Sequence, residues 1–301
     1  MNNGLRVSRT AVILFLLPSM AGLFVFYLIP LISSFFISLT RWDGLSRLGG
    51  PGGFPPAVGL ENYTRVLSSG EFYQVLGNTT YFIVLYLPGM LLGALAVALL
   101  LSQRIKGIGL FRVIYYIPVL TSWVAGALVW RWLLSPQYGP VNAALEAAGI
   151  PGPGWLFDTT WAMPGIVLAS IWKDVGFFGL IFLGGLQGIN PEFYEAAEID
   201  GAGWWYRMRR ITLPLLSPIT FFIIVIALIN SFQLFPQVMV MTDNAGPQGA
   251  TRVLLERIYT YAFRYYEMGY ASAYSWVLFF IIFMLTALQF KIQQNWVHYE
   301  S

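Results

Sequence analysis

The sequence predicts an all-α, polytopic integral membrane protein with six transmembrane helices, and three observations predict it. Of the 301 residues 57% are hydrophobic, 17% aromatic and only 10% charged, against about 25% charged in soluble domains. Apolar runs of about 20 residues recur, each long enough to cross a hydrocarbon core. Between two of them lies a polar island, Glu192 to Pro218, which carries Arg207, Arg209 and Arg210.

The six runs are Ala11–Leu39, Thr80–Leu101, Phe111–Leu134, Trp161–Leu186, Pro214–Met241 and Ala271–Phe290, in one domain covering 1–301. The first follows Arg6 and Arg9 and exceeds the apolar core of a signal peptide, about 7–15 residues, so it is expected to stay as a span. Thr40–Asn78 starts with a Gly/Pro-rich turn at Gly49–Pro56. It then places Tyr63, Val66, Leu67, Phe72 and Val75 on one face of interfacial helices, a small outer cap. In Ser135–Thr160, Pro140 opens a helix at Val141–Ala148, and Thr242–Tyr270 is the third outer segment. Interior prolines Pro30, Pro88, Pro118 and Pro236 predict kinks or interruptions. Gly89 with Gly93, Ser122 with Gly126 and Gly184 with Gly188 stand at helical spacing, where small residues let neighbouring helices of the chain approach.

Charge sets the topology. With the amino terminus inside, the inner set is Arg6, Arg9, Arg104, Lys106, Arg112, Arg207, Arg209, Arg210 and Lys291; the outer set is Arg41, Arg47, Arg65, Arg131, Arg252, Arg257 and Arg264. The margin is nine to seven, but the inner loops are shorter and hold their charges at span ends, where the positive-inside rule counts them. Both termini and the polar island are expected inside. A net charge of +3 without a basic stripe speaks against nucleic acid.

Catalysis is not expected. The three lysines, Lys106, Lys173 and Lys291, lie outside any phosphate-loop pattern. There is no cysteine, and the one histidine, His298, is near the end, so neither a thiolate metal site nor a Ser/His/Asp set can be assembled. Polar residues inside the apolar runs are the binding candidates. Lys173 and Asp174 lie well inside the fourth run, where each unpaired charge costs about 2.5–3.5 kcal/mol; adjacent on a helix, they point to different partners. They read either as lining of a solute route or as a network holding helices in register. In the fifth run Asn230, Gln233 and Gln237 follow i, i+3, i+7 spacing beside Ser231, Phe232 and Phe235. Amides donate and accept, as sugar hydroxyls require, and rings stack on apolar sugar faces; interhelical hydrogen bonds are the other reading. Tyr115, Tyr116, Thr121 and Ser122 are weaker candidates.

The island itself reads as helix, elbow, helix. Asn190 caps, Pro191 gives no N–H to waste, and Glu192 sits at the positive end. Asp200-Gly201 ends that helix, and a second begins at Trp204. Glu195-Ala196-Ala197, Asp200-Gly201-Ala202, then Ile211, Leu213 and Pro214 resemble the EAA signature of ABC-transporter permease subunits; Met208 stands where that pattern has Phe. The run from Ile171 to Gly203 resembles the binding-protein-dependent sugar and polyol group, including the maltose-type and glycerol-3-phosphate-type permeases, and Asn244–Thr251 with Ile258-Tyr259 supports this.

The resemblance implies that 190–213 is a cytoplasmic coupling helix seated in an ATPase groove by Glu195, Ala196, Ala197, Asp200, Gly201, Ala202 and Gly203. Glu195 and Asp200 are expected to fix the elbow by hydrogen bonds or ion pairs. It also implies a bacterial inner-membrane location, a homologous second permease, two ATPase chains that hold ATP and Mg, an extracytoplasmic solute-binding protein, and alternating access. No cofactor is expected on this chain. Among basic residues only Lys173 and Arg131 are placed to meet a phosphate ester, so an uncharged sugar is the expected cargo. The rival is an ion-coupled secondary solute carrier, which needs an intramembrane carboxylate relay.

Overall fold

The computed structural model describes residues 9–47, 53–103 and 105–297. Arg6, Arg104, His298 and the start of the Gly49–Pro56 turn lie outside them. Among the described residues the chain is helical, and β-structure is limited to isolated bridging such as Thr40–Ala57.

In chain order the helices are α1 (Arg9–Leu23), α2 (Ile29–Ser38), α3 (Glu61–Ser68), α4 (Gly70–Leu101), α5 (Ile108–Leu120), α6 (Trp123–Leu133) and α7 (Pro140–Ala147). There follow α8 (Ala162–Gly188), α9 (Pro191–Ile199), α10 (Trp204–Arg207), α11 (Leu213–Leu215), α12 (Ser217–Phe232), α13 (Pro236–Met241), α14 (Leu254–Phe263) and α15 (Met268–Ile292). Four continuous helices have the length and apolarity to cross a membrane: Val12–Ser38, Gly70–Leu101, Ala162–Gly188 and Met268–Asn295. Two further candidates are bent pairs, Ile108–Leu120 with Trp123–Leu133 at 98° and Trp204–Leu215 with Ser217–Phe232 at 63°.

The prolines explain part of this. Pro30 stands at the start of α2, after a π-helical turn at Phe24–Leu28. Pro118 sits near the end of α5, just before the break, and Pro236 opens α13. Pro88 lies inside an uninterrupted α4.

Contacts divide the chain into two compact units, 1–69 with 258–277 and 70–257 with 278–301. In the first unit Asn62 Nδ2 donates to the carbonyls of Ser38 and Thr40, both at 2.8 Å, so it ties α3 to the end of α2. Arg65 donates to Glu267 at 2.7 Å and lies 4.1 Å over the Tyr270 ring. From Val12 onward the first helix is exposed apart from half-buried Gly22, with Phe15 at 84%, as a lipid-facing span should be. The outer-cap face holds in part. Val66 here, and Phe72 and Val75 in the second unit, are buried, whereas Leu67 is exposed because it lies on the outer side of a helix only two turns long.

The second unit is built on α4 against α8. Phe82, Tyr86, Met90 and Ala94 recur every fourth residue and bury one face of α4 against Ile166, Ala169, Phe178 and Phe182 of α8. Lipid tails are as apolar as these side chains, so close packing carries the association. A Cβ at Gly89 would stand 2.7 Å from Ile171 Cδ1 and one at Gly93 3.0 Å from Val175 Cγ2, while one at Gly176 would overlap the Tyr115 carbonyl. The intrachain packing expected of Gly89 and Gly93 is therefore present. Gly184 and Gly188 depart from it, with nothing within 4 Å; Gly185, one residue along and so on another face, meets Ile219 instead. The Asn244–Thr251 stretch is a turn with Ala245, Gly246, Gln248 and Gly249 left-handed. Asn78 Nδ2 holds it by donating to the carbonyls of Gly249 and Arg252 at 3.1 and 3.0 Å, and Arg131 pairs with Asp243 beside it at 2.7 Å.

Candidate functional site

Two places in the second unit carry the sequence-derived candidates. The first is the elbow. Asn190 Oδ1 accepts from Glu192 N at 3.0 Å, with Pro191 in the first turn, so α9 starts where its residues dictate. It ends in a Schellman motif: Ala202 N donates to Ala197 O at 2.8 Å and Gly201 N to Glu198 O at 3.0 Å. Gly201 has φ +75°, which a glycine adopts without the Cβ penalty.

Beyond the elbow, Met208–Thr212 is π-helical, a widening that Pro214 favours because it supplies no N–H. Tyr194 Oη and Thr212 Oγ1 lie 3.0 Å apart and tie the two arms, and Arg207 pairs with Glu198 at 3.5 Å. The expected fixing role of Glu195 and Asp200 is corrected here: among the described residues neither side chain has a hydrogen-bond or ion-pair partner, and the backbone motif closes the turn. Met208 is buried, so the position where the EAA pattern has Phe is still an apolar contact.

The elbow surface, at the start of the second bent pair, is strongly apolar. Ile199 is 87% exposed, Trp205 67% and Trp204 61%, a cluster of the kind that marks a protein interface. Beside it Ala197, Asp200, Gly201, Ala202, Gly203 and Tyr206 line a hollow of 380 Å³. Glu195 and Ala196 are exposed on the same short helix.

The second place is a cavity of 310 Å³ between α4, α8 and the break that follows α12, at the lower end of small-molecule sites of about 300–1,000 Å³. Asp174, Asn230, Gln233 and Gln237 all line it, with Tyr86, Trp123 and Ser170. The amides converge for a reason the spacing did not contain. The α12 helix ends at Phe232, and Gln237 is carried on α13 after an unwound turn; the chain bends back and brings it to the same hollow. Tyr86 Oη donates to Asp174 Oδ2 at 2.7 Å.

Lys173 is not in the lining. Its ammonium donates to the carbonyls of Pro118, Val119 and Thr121 at 2.8, 3.2 and 2.6 Å, at the α5–α6 break, and stands 5.3 Å from the Trp123 ring. Lys173 and Asp174 do have different partners. The ring partners differ from expectation: Phe232 is buried and Phe235 is not in the lining, whereas Phe82, Tyr86 and Trp123 are. Tyr115, Tyr116, Thr121 and Ser122 do not line the cavity; Thr121 and Ser122 close the helix break with their own hydroxyls. Tyr86 and Trp123 were invisible in the sequence because apolar runs rich in aromatics give no sign of which ring faces inward. Among the described residues no group of three or more His, Asp or Glu is placed to hold a metal.

Helices alone among the described residues, four to six of them membrane-length, broken spans around a polar cavity and an exposed apolar elbow mark a multi-pass membrane transport component. The comparison with known families makes this specific: the chain belongs to the family of binding-protein-dependent transport system inner membrane components, whose profile matches residues 63–297. It is similar to the probable ABC transporter permease protein YesP of Bacillus subtilis, 34% identical over 100% of this chain and 96% of that one. The lactose transport system permease protein LacF of Rhizobium radiobacter is 34% identical, covering 92% of each chain. The trehalose/maltose transport system permease protein MalF of Thermococcus litoralis is also 34% identical, over 93% of this chain and 92% of that one. In fold, the chain matches a bacterial ABC transporter involved in import of the acidic polysaccharide alginate, with TM-score 0.81 at 22% identity, over 95% of this chain and 96% of the other.

Proposed function

We propose that this chain is a permease subunit of an ATP-driven importer for a carbohydrate, working by alternating access, with Glu195–Gly203 as the helix that couples it to a separate ATPase. The observation that carries this is the elbow: an exposed apolar knob at Ile199, Trp204 and Trp205 flanked by Glu195 and Asp200, whose carboxylates have no partner among the described residues. Two acids and an apolar knob left unsatisfied suit a groove on another protein. A rigid Schellman turn transmits movement of that groove to α8 and, through α10, to α12 as rigid-body rocking.

The rest of the assembly follows from family and chemistry. A second homologous permease completes the pore, two ATPase chains supply ATP and Mg chemistry, and an extracytoplasmic binding protein delivers solute. One fold neighbour was solved with such a periplasmic protein bound to alginate pentasaccharide. The location is the bacterial inner membrane with both termini cytoplasmic, as the basic residues at the inner span ends favour. Sugar as cargo is supported by the curated lactose and trehalose/maltose relatives and by the amides and rings of the cavity. Vesicles holding the assembled transporter, loaded with ATP and lacking any ion gradient, are expected to take up the sugar that the binding protein holds. Uptake that ignores ATP and follows an imposed proton or sodium gradient would establish the secondary-carrier reading instead.

A further inference from the structure

We propose that the cavity is a charge filter: the Asp174 carboxylate, offset by no cation in the lining, admits neutral and amino-bearing sugars and rejects uronates and sugar phosphates.

The electrostatics rest on where the two basic residues of this region go. Lys173 precedes Asp174, and successive side chains on a helix diverge by about 100°. Its ammonium is turned to three backbone carbonyls at the α5–α6 break and is buried there, outside the lining, so that it attracts Asp174 from behind but offers a solute no donor. Arg131 gives both terminal nitrogens to Asp243, at 3.1 and 2.7 Å, and one of them also to Val240 O at 3.3 Å. No Lys or Arg is among the lining residues, and Asp174 is the one acid.

The remaining lining is neutral and hydrogen-bonding. Asn230 and Gln233 are exposed and line the cavity, and Gln237 is buried with its Oε1 unpartnered among the described residues. Tyr86 takes one carboxylate oxygen and so fixes the orientation of the other. An ionised carboxylate only accepts. A sugar hydroxyl or ammonium can therefore donate to Asp174, while a uronate or phosphate oxygen is brought against a like charge with no compensating donor of full charge. This separates the expected cargo from the acidic polysaccharide carried by the fold neighbour.

The word sugar rests on the importer reading; the sign of the cavity does not. The test uses the chain's lack of cysteine. Gln233→Cys places one thiol in the lining of the full assembly, with cysteines removed from the partner chains so that any charge they add is counted. Rates of modification by a cationic and an anionic methanethiosulfonate of similar size are each divided by the rate with free thiol in solution.

The cationic reagent is expected to win by about tenfold or more. Adding Asp174→Asn should bring the ratio to near unity, and Asp174→Glu should restore it. A ratio near or below unity with Asp174 present, a ratio that Asp174→Asn leaves unchanged, or a thiol inert to both reagents would overturn the proposal. Failure of ATP-driven uptake with the ratio intact would overturn the importer reading and leave this one standing.

Discussion

A complex carrying Gly201→Glu is expected to reach the membrane at normal level and to lose substrate-stimulated ATPase activity by at least about tenfold. The fold survives because nothing lies within 4 Å of a Cβ built on Gly201. The local cost is that of a side chain at φ +75°, about 1–2 kcal/mol, small against the packing of α4 on α8. The functional cost is large because Gly201 lies in the wall of the 380 Å³ hollow with Ala197, Ala202 and Gly203, where small residues let a second surface close in. A glutamate fills that space and adds an acid beside Asp200, so the seat is lost rather than loosened. Gly201→Ala carries the same backbone strain without the bulk and charge, and it should retain most of the activity. Normal stimulated hydrolysis in Gly201→Glu would remove the elbow from the coupling path.

Lys173→Met should act at the opposite level, on the integrity of the spans. The ammonium serves three carbonyls at the α5–α6 break, at 2.6–3.2 Å; Pro118 O also accepts from the Thr121 N–H and hydroxyl, so Val119 O and Thr121 O depend on the cation most. Hydrogen bonds to a charged group are worth about 1.5–3 kcal/mol each, and in the apolar surroundings of a span no water replaces them readily. Methionine keeps the stem and removes every donor. We expect a loss of at least about 3 kcal/mol, read as a clearly shortened half-life of the detergent-purified complex at fixed temperature. Lys173→Arg, which keeps donors, should recover part of it. An unchanged half-life in Lys173→Met would mean that the 98° bend is held by the surrounding packing without the cation.

These two residues also mark what the sequence made legible. The elbow was readable to the residue because caps, a proline in the first turn and an Asp-Gly stop are local rules, and the Schellman bonds fall where they place them. The breaks were legible only in part: Pro118 and Pro236 marked where α5 ends and α13 begins, but Pro88 leaves α4 unbroken and the 98° turn was not foreseen. Phe111–Leu134 is one apolar run by composition, and hydropathy does not distinguish a straight span from one that turns at Thr121–Ser122. Lys173 was legible as a charge that must be satisfied, but its partners come from α5 and the turn after it, a contact that only the folded chain brings about. The cavity was half visible: the amides stood out among Phe and Leu, while Tyr86 and Trp123 were lost among other rings. Glu195 and Asp200, expected to lock the elbow, have no side-chain partner among the described residues, which leaves them available to the partner surface we propose.

The account turns on one placement, that of the elbow against an ATPase on the inner face. Ile199 is its most exposed residue, and the chain has no cysteine of its own, so Ile199→Cys gives a single reporter. In intact cells this thiol should resist a membrane-impermeant reagent added from outside, react once the membrane is opened, and cross-link to the ATPase chain in the assembled complex. Labelling from outside intact cells, or a purified complex in which no ATPase adduct forms, would contradict it.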